Sequence, residues 1–365
     1  MTFSSVYIHR DVRESPVVKQ ILSQVDVPFD VVDGLQSLYD QLARENDPIQ
    51  RGKEILFLTE NKGKFIKDCP GTQSYTCCGY KILHIGTFCI MDCAYCILQS
   101  YFHPPLCQFF VNHDDLFAEL ESHLSTRGVS RIGTGEFTDS LIWEKYTDLN
   151  RRLVRSFGRQ FRSILELKTK TVSVAQLEGL DHQRKTILSW SLNTPKVVKT
   201  EERGTAAITA RLQAAELCQS WGYPVAFHFD PIVIYDGCES AYEKVIHQMF
   251  QHVSAENIVW ISLGTFRFMP QLKPIVQQRF PESTIVYGEF IRGLDNKMRY
   301  FKPLRIKMYQ HMATMIRDYA PDATVYFCME DDDVWEKVMG FKPSDRGGLP
   351  AILDQSAARH CGLKI

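Results

Sequence analysis

From about residue 80 onward, short apolar runs of strand-forming residues alternate with stretches whose apolar positions recur every three or four residues, which predicts βα units around a parallel sheet. The predicted strands are Lys81–His84, Gln108–Val111, Ser130–Gly133, Ser163–Lys168, Lys185–Ser191, Pro224–Phe229, Asn257–Leu263 and Thr284–Glu289. Helical periodicity covers Asp115–Ser125, Trp143–Phe157, Ala206–Trp221 and Ser240–His252, with Thr205 or a near neighbour as the cap of the third. Residues 1–80 are less regular: Leu35–Leu42 reads as a helix, Glu54–Leu58 as a strand and Asp68–Thr72 as a turn. Beyond residue 295 come a long helix, Pro303–Tyr319, a strand, Thr324–Phe327, and a helix near Asp332–Val338. The Gly- and Pro-bearing tail from Lys342 is expected to be poorly ordered.

Composition narrows the class. With 365 residues, 44% hydrophobic and 23% charged, the chain can bury a large core without staples. Forty-two basic against 43 acidic residues give a net charge of -1, which excludes bulk coating of nucleic acid but leaves room for a local basic groove. No apolar run approaches the roughly 18 residues of a membrane span, and the first residues lack the apolar core of a leader, so a cytoplasmic protein with no membrane partner is expected. Eleven cysteines in such a chain read as reduced thiols, some of them metal ligands.

Seven of the eleven lie between Cys69 and Cys107. Within that stretch Cys89, Cys93 and Cys96 are separated by three and then two residues, spacing that suits one loop around one small object. A zinc knuckle needs four closed ligands, and no second Cys-x-x-Cys arm stands in the sequence. Core packing fits poorly with Gly86 and Asp92 in the same loop. Three thiolates on four irons leave one iron without a protein ligand and open to a small molecule. This spacing, with Tyr95 before the last cysteine, resembles the radical S-adenosylmethionine (SAM) superfamily, in which the open iron chelates SAM and reduction releases a 5'-deoxyadenosyl radical.

The motif continues as Ile97-Leu98-Gln99-Ser100-Tyr101-Phe102, followed by Gly135-Glu136-Phe137-Thr138-Asp139-Ser140, Thr169-Lys170, Trp190-Ser191-Leu192-Asn193, Glu202-Arg203-Gly204-Thr205 and Gly222-Tyr223-Pro224. In this order the segments resemble the spore photoproduct lyase family over most of the chain, residues 55–330. The resemblance implies an α/β fold: a partial (β/α)6 radical SAM barrel at 81–295, with its 4Fe–4S loop at 86–97, an N-terminal extension at 1–80 and a small C-terminal α/β region at 296–365. It implies a lyase that repairs a thymine photolesion, a DNA or nucleotide substrate, and an electron donor such as flavodoxin or ferredoxin. Carried over residue by residue, Cys89, Cys93 and Cys96 hold the cluster and Tyr95 lies over it. Thr138, Lys170 and Ser191 contact SAM, and Asn193 and Asp230 stand near the same strand ends.

Two departures are visible. The position of the family's hydrogen-donating cysteine is Glu136, and the tyrosine after the third cluster cysteine is Ile97. A carboxylic O–H is a far poorer hydrogen-atom donor than a thiol, so initiation is expected to be retained while the quenching step is not. Glu136 then acts as a SAM ligand or general base. Cys77, Cys78 and Cys107 are candidate replacement thiols. Between Arg292 and Tyr309 cations interleave with aromatics, a pattern suited to phosphates and unpaired bases. The acidic run Asp331–Asp333, after Glu330, reads as a helix cap and solvated face rather than a metal site. Two other readings stand beside photolesion chemistry: the same radical chemistry on a different substrate, and a non-catalytic cluster-binding module.

Overall fold

The computed structural model describes residues 3–71, 74–126 and 128–365. In chain order the strands are β1 (Ser5–His9), β2 (Phe29–Val32), β3 (Ile55–Thr59), β4 (Ile66–Asp68), β5 (Lys81–Leu83), β6 (Gly86–Thr87), β7 (Asp92–Cys93), β8 (Cys107–Phe110) and β9 (Ser130–Gly133). They continue as β10 (Ser163–Thr169), β11 (Thr186–Ser191), β12 (Glu202–Arg203), β13 (Val225–Ile232), β14 (Ile258–Thr265), β15 (Arg267–Phe268), β16 (Phe290–Arg292), β17 (Met298–Tyr300) and β18 (Val325–Phe327).

The main sheet runs β18-β14-β13-β11-β10-β9-β5-β4. The predicted core strands β5, β9, β10, β11, β13 and β14 are parallel, as six strands of a curled half-barrel. Strand β18 extends them in parallel and β4 closes the other edge antiparallel. Both faces are covered, which is why β14 is buried at every position and reads as a continuous apolar run. The pleat sends Leu165, Leu167, Phe227, Phe229, Ile261, Leu263 and Phe327 toward the helices and the alternate positions into the lumen. Phe229 meets Tyr242 of the helix Cys238–His252, and Phe327 meets Tyr309 and Trp335, which confirms that face as the outer one.

A second sheet, β2-β1-β3-β8-β6, is parallel except for the β6–β8 pair. Residues of the N-terminal extension therefore share a sheet with the two strands that flank the cysteine loop. A three-stranded antiparallel sheet, β15-β17-β16, lies beside the mouth of the half-barrel over a separate apolar cluster that includes Ala94, Phe266, Phe268, Val276 and Tyr300.

Several expectations change. Thr284–Glu289 forms no strand: Ile285 and Val286 are buried in a turn of that cluster, and the strand follows at β16. The helix expected from Trp143 begins at Leu149, because Asn150 bonds to the Ser140 carbonyl and the Glu144 carboxylate and fixes an irregular lead-in. Thr205 caps no helix and bonds to the Glu202 carbonyl instead. Gly71 turns on the Cys69 carbonyl as expected, while Thr72 lies outside the described residues. The tail is ordered: Leu349–Cys361 is a helix burying Leu349, Leu353, Ala357 and Cys361, and Arg131 and Asp354 pair at 2.7 Å. The Gly and Pro that suggested disorder stand at its start, where they punctuate a helix.

Candidate active site

The cysteine loop is held from three directions. Phe88 takes a left-handed backbone, φ 69°, with its ring buried beneath the Lys53 ammonium at 4.5 Å. Lys53 Nζ donates to the carbonyls of Cys89 (3.0 Å) and Met91 (2.6 Å) and lies 3.7 Å from the Asp92 carboxylate. Gln99 donates to the carbonyls of Cys93, Ala94 and Cys96. Arg279 grips Asp92 through both terminal nitrogens (3.0 and 3.2 Å) and reaches Asp47 at 2.8 Å. Antiparallel pairing of β7 with β12 sets Cys93 opposite Glu202. Burial pushes the Cys89 thiol up, and that of Cys93 to about 12.

Tyr95, within the motif, contacts the Glu202 carboxylate through its hydroxyl and accepts from Lys170 Nζ at 3.0 Å. Glu202 is buried between Lys170 at 3.4 Å and Arg211 at 2.5 Å, and these cations, against the cost of burial, hold its carboxyl down at about 2. Arg211 also donates to the Ser191 carbonyl at 2.7 Å, which fixes the end of β11 beside this group.

The lumen is polar. Glu166 and Lys168 point into it from β10, Ser189 and Ser191 from β11, His228 and Asp230 from β13, Trp260 and Ser262 from β14, and Tyr326 from β18. Glu166 meets His228 at 2.8 Å and Trp260 Nε1 at 3.4 Å. Glu136, on the loop after β9, pairs with Lys168. Burial opposes charge on Lys168, yet Glu136 and Glu166 hold its pKa above the ordinary lysine value. Asp230 is taken by Arg267 at 3.1 and 3.0 Å, and Gly264 leaves room for the pair: a Cβ there would lie 2.7 Å from the Asp230 carboxylate.

Thr138 is buried and accepts from the Trp143 indole at 3.2 Å. Its neighbour Asp139 accepts from Leu141 N, Thr169 Oγ1 and Lys170 N, locking this loop to the end of β10. Asn193 is fully engaged, donating to the Pro231 carbonyl and accepting from Tyr242 and from Thr194 N. The structure thus brings Tyr95, Lys170 and Ser191 to one side of the mouth and Glu136 and Asp230 into the lumen. Gln99 and Glu202 stand in motif segments that give them no role, and Lys53, Arg211 and Arg279 were not legible at all, since no local motif marks a contact such as that of Arg279 with Asp92, 187 residues away.

The cation-aromatic stretch behaves otherwise than its sequence suggests. Arg299 is buried against Asp295 (2.6 Å) and Arg305 against Glu330 (3.0 Å), and Lys297, Lys302 and Lys307 are also paired. Tyr309 is buried. Leu294, 74% exposed, stands at the tip between β16 and β17, with Ile291 and Arg292 exposed on the strand that leads to it and Phe301 exposed at the hairpin's other end. In the acidic run Asp331 caps the following helix as expected, and Glu330 just before it is the buried partner of Arg305.

The family model of spore photoproduct lyase matches residues 72–328. The chain belongs to the spore photoproduct lyase family. The spore photoproduct lyase of a Geobacillus species is 26% identical over 223 residues, 60% of this chain and 63% of that one. That of Clostridium acetobutylicum is 21% identical over 311 residues, 82% and 87% of the two chains. The match thus spans somewhat under two thirds of the Geobacillus protein's length and more of the Clostridium one's. A solved spore photoproduct lyase complexed with dinucleoside spore photoproduct superposes with a TM-score of 0.78 at 21% identity, covering 89% of this chain and 98% of that one. A variant with bound SAM and the same dinucleoside gives 0.77 at 22% identity, with the same coverage. At this identity the likeness shows the fold.

Spore photoproduct lyases are radical SAM enzymes with a 4Fe–4S cluster. Among the described residues no three His, Cys, Asp or Glu side chains form a ready-made group for a metal ion. The loop's donors are three thiols with no oxygen ligand among them, which fits a cluster that brings its own sulfide and draws its ligands together on binding. No helix of the described residues is long and apolar enough to cross a membrane.

Proposed function

We propose that this chain cleaves SAM reductively and acts on a thymine photolesion or a nucleotide substrate of that kind. The observation that carries the reading is the 3.0 Å bond from Lys170 to Tyr95, which ties the cysteine motif to the end of β10 and gathers the predicted cluster and SAM residues on one side of the lumen. When bound, the cluster and SAM supply a 5'-deoxyadenosyl radical. The chain's own residues hold and aim it. Cys89, Cys93 and Cys96 ligate the cluster, and Tyr95 lies over it. Lys170 offers its ammonium to the SAM carboxylate, Ser191 its hydroxyl to the ribose, and Thr138 its hydroxyl to the methionine portion. Asn193 and Asp230, already bonded, shape the wall. Glu136, paired with Lys168, faces the substrate. The same reading divides the chain into an N-terminal layer (1–80), the catalytic half-barrel (81–295) and a C-terminal region (296–365), in a cytoplasmic enzyme served by a flavodoxin or ferredoxin.

Anaerobic reconstitution with iron and sulfide tests this. The reconstituted protein is expected to hold about one cubane and, once reduced, to form 5'-deoxyadenosine from SAM and thymine from dinucleoside spore photoproduct. A colourless, zinc-loaded protein overturns it. A second reading, radical chemistry on a substrate other than duplex DNA, is favoured by the ion pairs that occupy Lys297, Arg299, Lys302, Arg305 and Lys307. It predicts binding that changes little with salt, whereas phosphate contacts give a steep salt dependence.

A further inference from the structure

Outside the cluster loop, cysteines gather where the half-barrel almost closes. Strands β4 and β18 are the two opposite edges of the main sheet, yet the thiols of Cys69, just after β4, and Cys328, just after β18, act on each other electrostatically. Tyr75 and Thr76, in the connection from β4 to β5, reach across to the far edge. Thr76 N donates to the Glu330 carbonyl, Tyr75 hydroxyl accepts from Leu294 N, and Arg299 stacks on the Tyr75 ring at 4.1 Å.

Cys328 is aimed inward. Phe229, Leu263 and Phe327 share one register row, all facing the outer helices, so the next residues, Asp230, Gly264 and Cys328, stand side by side on the lumen face at the mouth. The charges acting on the Cys328 thiol are those of Arg267, Asp230, Glu136 and Lys168. It is therefore placed among the very groups that surround Glu136, the residue that leaves this site without a thiol of its own. Burial pushes Cys328 up to about 11, which keeps the sulfur protonated.

The other candidates lack one property or another. Glu136 and Lys168 also act on the Cys69 thiol, which burial holds up at about 12, but Cys69 lies in the connection after an edge strand and not on this lumen-facing row. Cys107 is fully buried in β8 of the N-terminal sheet. Cys77 is exposed, and the Cys78 thiol is engaged with the Cys77 sulfur.

We propose that Cys328 is the hydrogen-atom donor that quenches the product radical, a role that rests on the photolesion reading above. In that step the Cys328 S–H bond breaks and a C–H bond forms on the product carbon. The sulfur radical then recovers one hydrogen atom from 5'-deoxyadenosine, and the 5'-deoxyadenosyl radical so formed would rejoin methionine as SAM with the reducing electron returned to the cluster, so that atoms and electrons balance over the cycle.

The test has two arms. In cluster-free protein, modification of Cys328 by methyl methanethiosulfonate, read by mass spectrometry, is expected to slow at least 5-fold when dinucleoside spore photoproduct is bound. In reconstituted enzyme, turnover of the dinucleoside in deuterated buffer is expected to place deuterium in the thymine methyl group. Cys328→Ser, which keeps the side chain's size, and Cys328→Ala should each lower clean thymine formation at least 10-fold and divert product to radical adducts, while 5'-deoxyadenosine, no longer reconsumed, accumulates above the wild-type level. Clean thymine at the wild-type rate from both variants, or modification of Cys328 unaffected by the dinucleoside, overturns the assignment while leaving the functional reading intact. Wild-type enzyme that forms 5'-deoxyadenosine but leaves the photoproduct whole overturns the functional reading and the assignment with it.

Discussion

Lys170 Nζ lies 3.0 Å from the Tyr95 hydroxyl and 3.4 Å from the Glu202 carboxylate, so a cation at the end of β10 is fastened to a ring inside the cysteine motif. Glu202 keeps a second cation, Arg211, at 2.5 Å. Removing Lys170 therefore leaves no bare carboxylate behind.

Lys170→Met should raise the KM for SAM at least 10-fold, while the melting temperature falls by only a few degrees, since Arg211 still neutralises Glu202. Steady-state formation of 5'-deoxyadenosine alongside calorimetry checks both halves. An unchanged KM would show that Lys170 is a structural charge.

Cys93→Ala should lose bound iron and SAM cleavage together, and Cys361→Ala should keep both. Cys361 is buried at the end of the last helix, far along the chain from the loop, and its replacement removes only packing volume. Iron assay and product chromatography distinguish the two, and equal losses would show the ligands to be misassigned.

Arg279→Ala strips the bidentate partner from buried Asp92 and leaves it with Lys53 at 3.7 Å. A loss of about 3 kcal/mol in denaturant unfolding is expected, as for other broken buried pairs. Because Asp92 sits between two cluster cysteines, iron uptake on reconstitution should fall as well. Stability and iron content both equal to wild type would contradict the role given to this clamp.

Acid should weaken the lumen before it weakens the surface. Burial works against a charged Glu166, but His228 and Lys168 hold its pKa down at about 2, against 4.5 ordinarily. A depressed carboxylate contributes stability above the ordinary value and loses it as pH falls toward the folded one. Glu166 thus contributes on the order of 2–3 kcal/mol above pH 5, fading between about pH 5 and 2. In Glu166→Gln the dependence of unfolding free energy on pH should be shallower across that window. Identical slopes in the two proteins would refute the depressed value.

Much of the half-barrel was readable because its signal is local. Ser130–Gly133 and the body of β10, β11, β13 and β14 follow from apolar runs between turn signals, and Leu35–Leu42 from helical periodicity. The same rule misplaced Thr284–Glu289, where an apolar run is buried by packing under a hairpin and finds no neighbouring strand to pair with. It also undervalued the tail, whose spacing of Leu349, Leu353, Ala357 and Cys361 is helical behind its opening Gly and Pro.

The sequence by itself determined the strand and helix alternation and the three-thiol loop, since both depend on neighbours within a few residues. The resemblance to the family further set Glu136 at the position where its members carry a thiol. Tertiary structure alone decided how charges are paired. Arg299 and Arg305, which read as free cations for phosphate, are consumed by Asp295 and Glu330, and Arg279 reaches Asp92 across 187 positions. Only the curl of the sheet, which brings its first and last edges together, puts Cys328 within electrostatic reach of Glu136. Such proximities depend on strand order and closure rather than on spacing, so no local pattern in the chain encodes them.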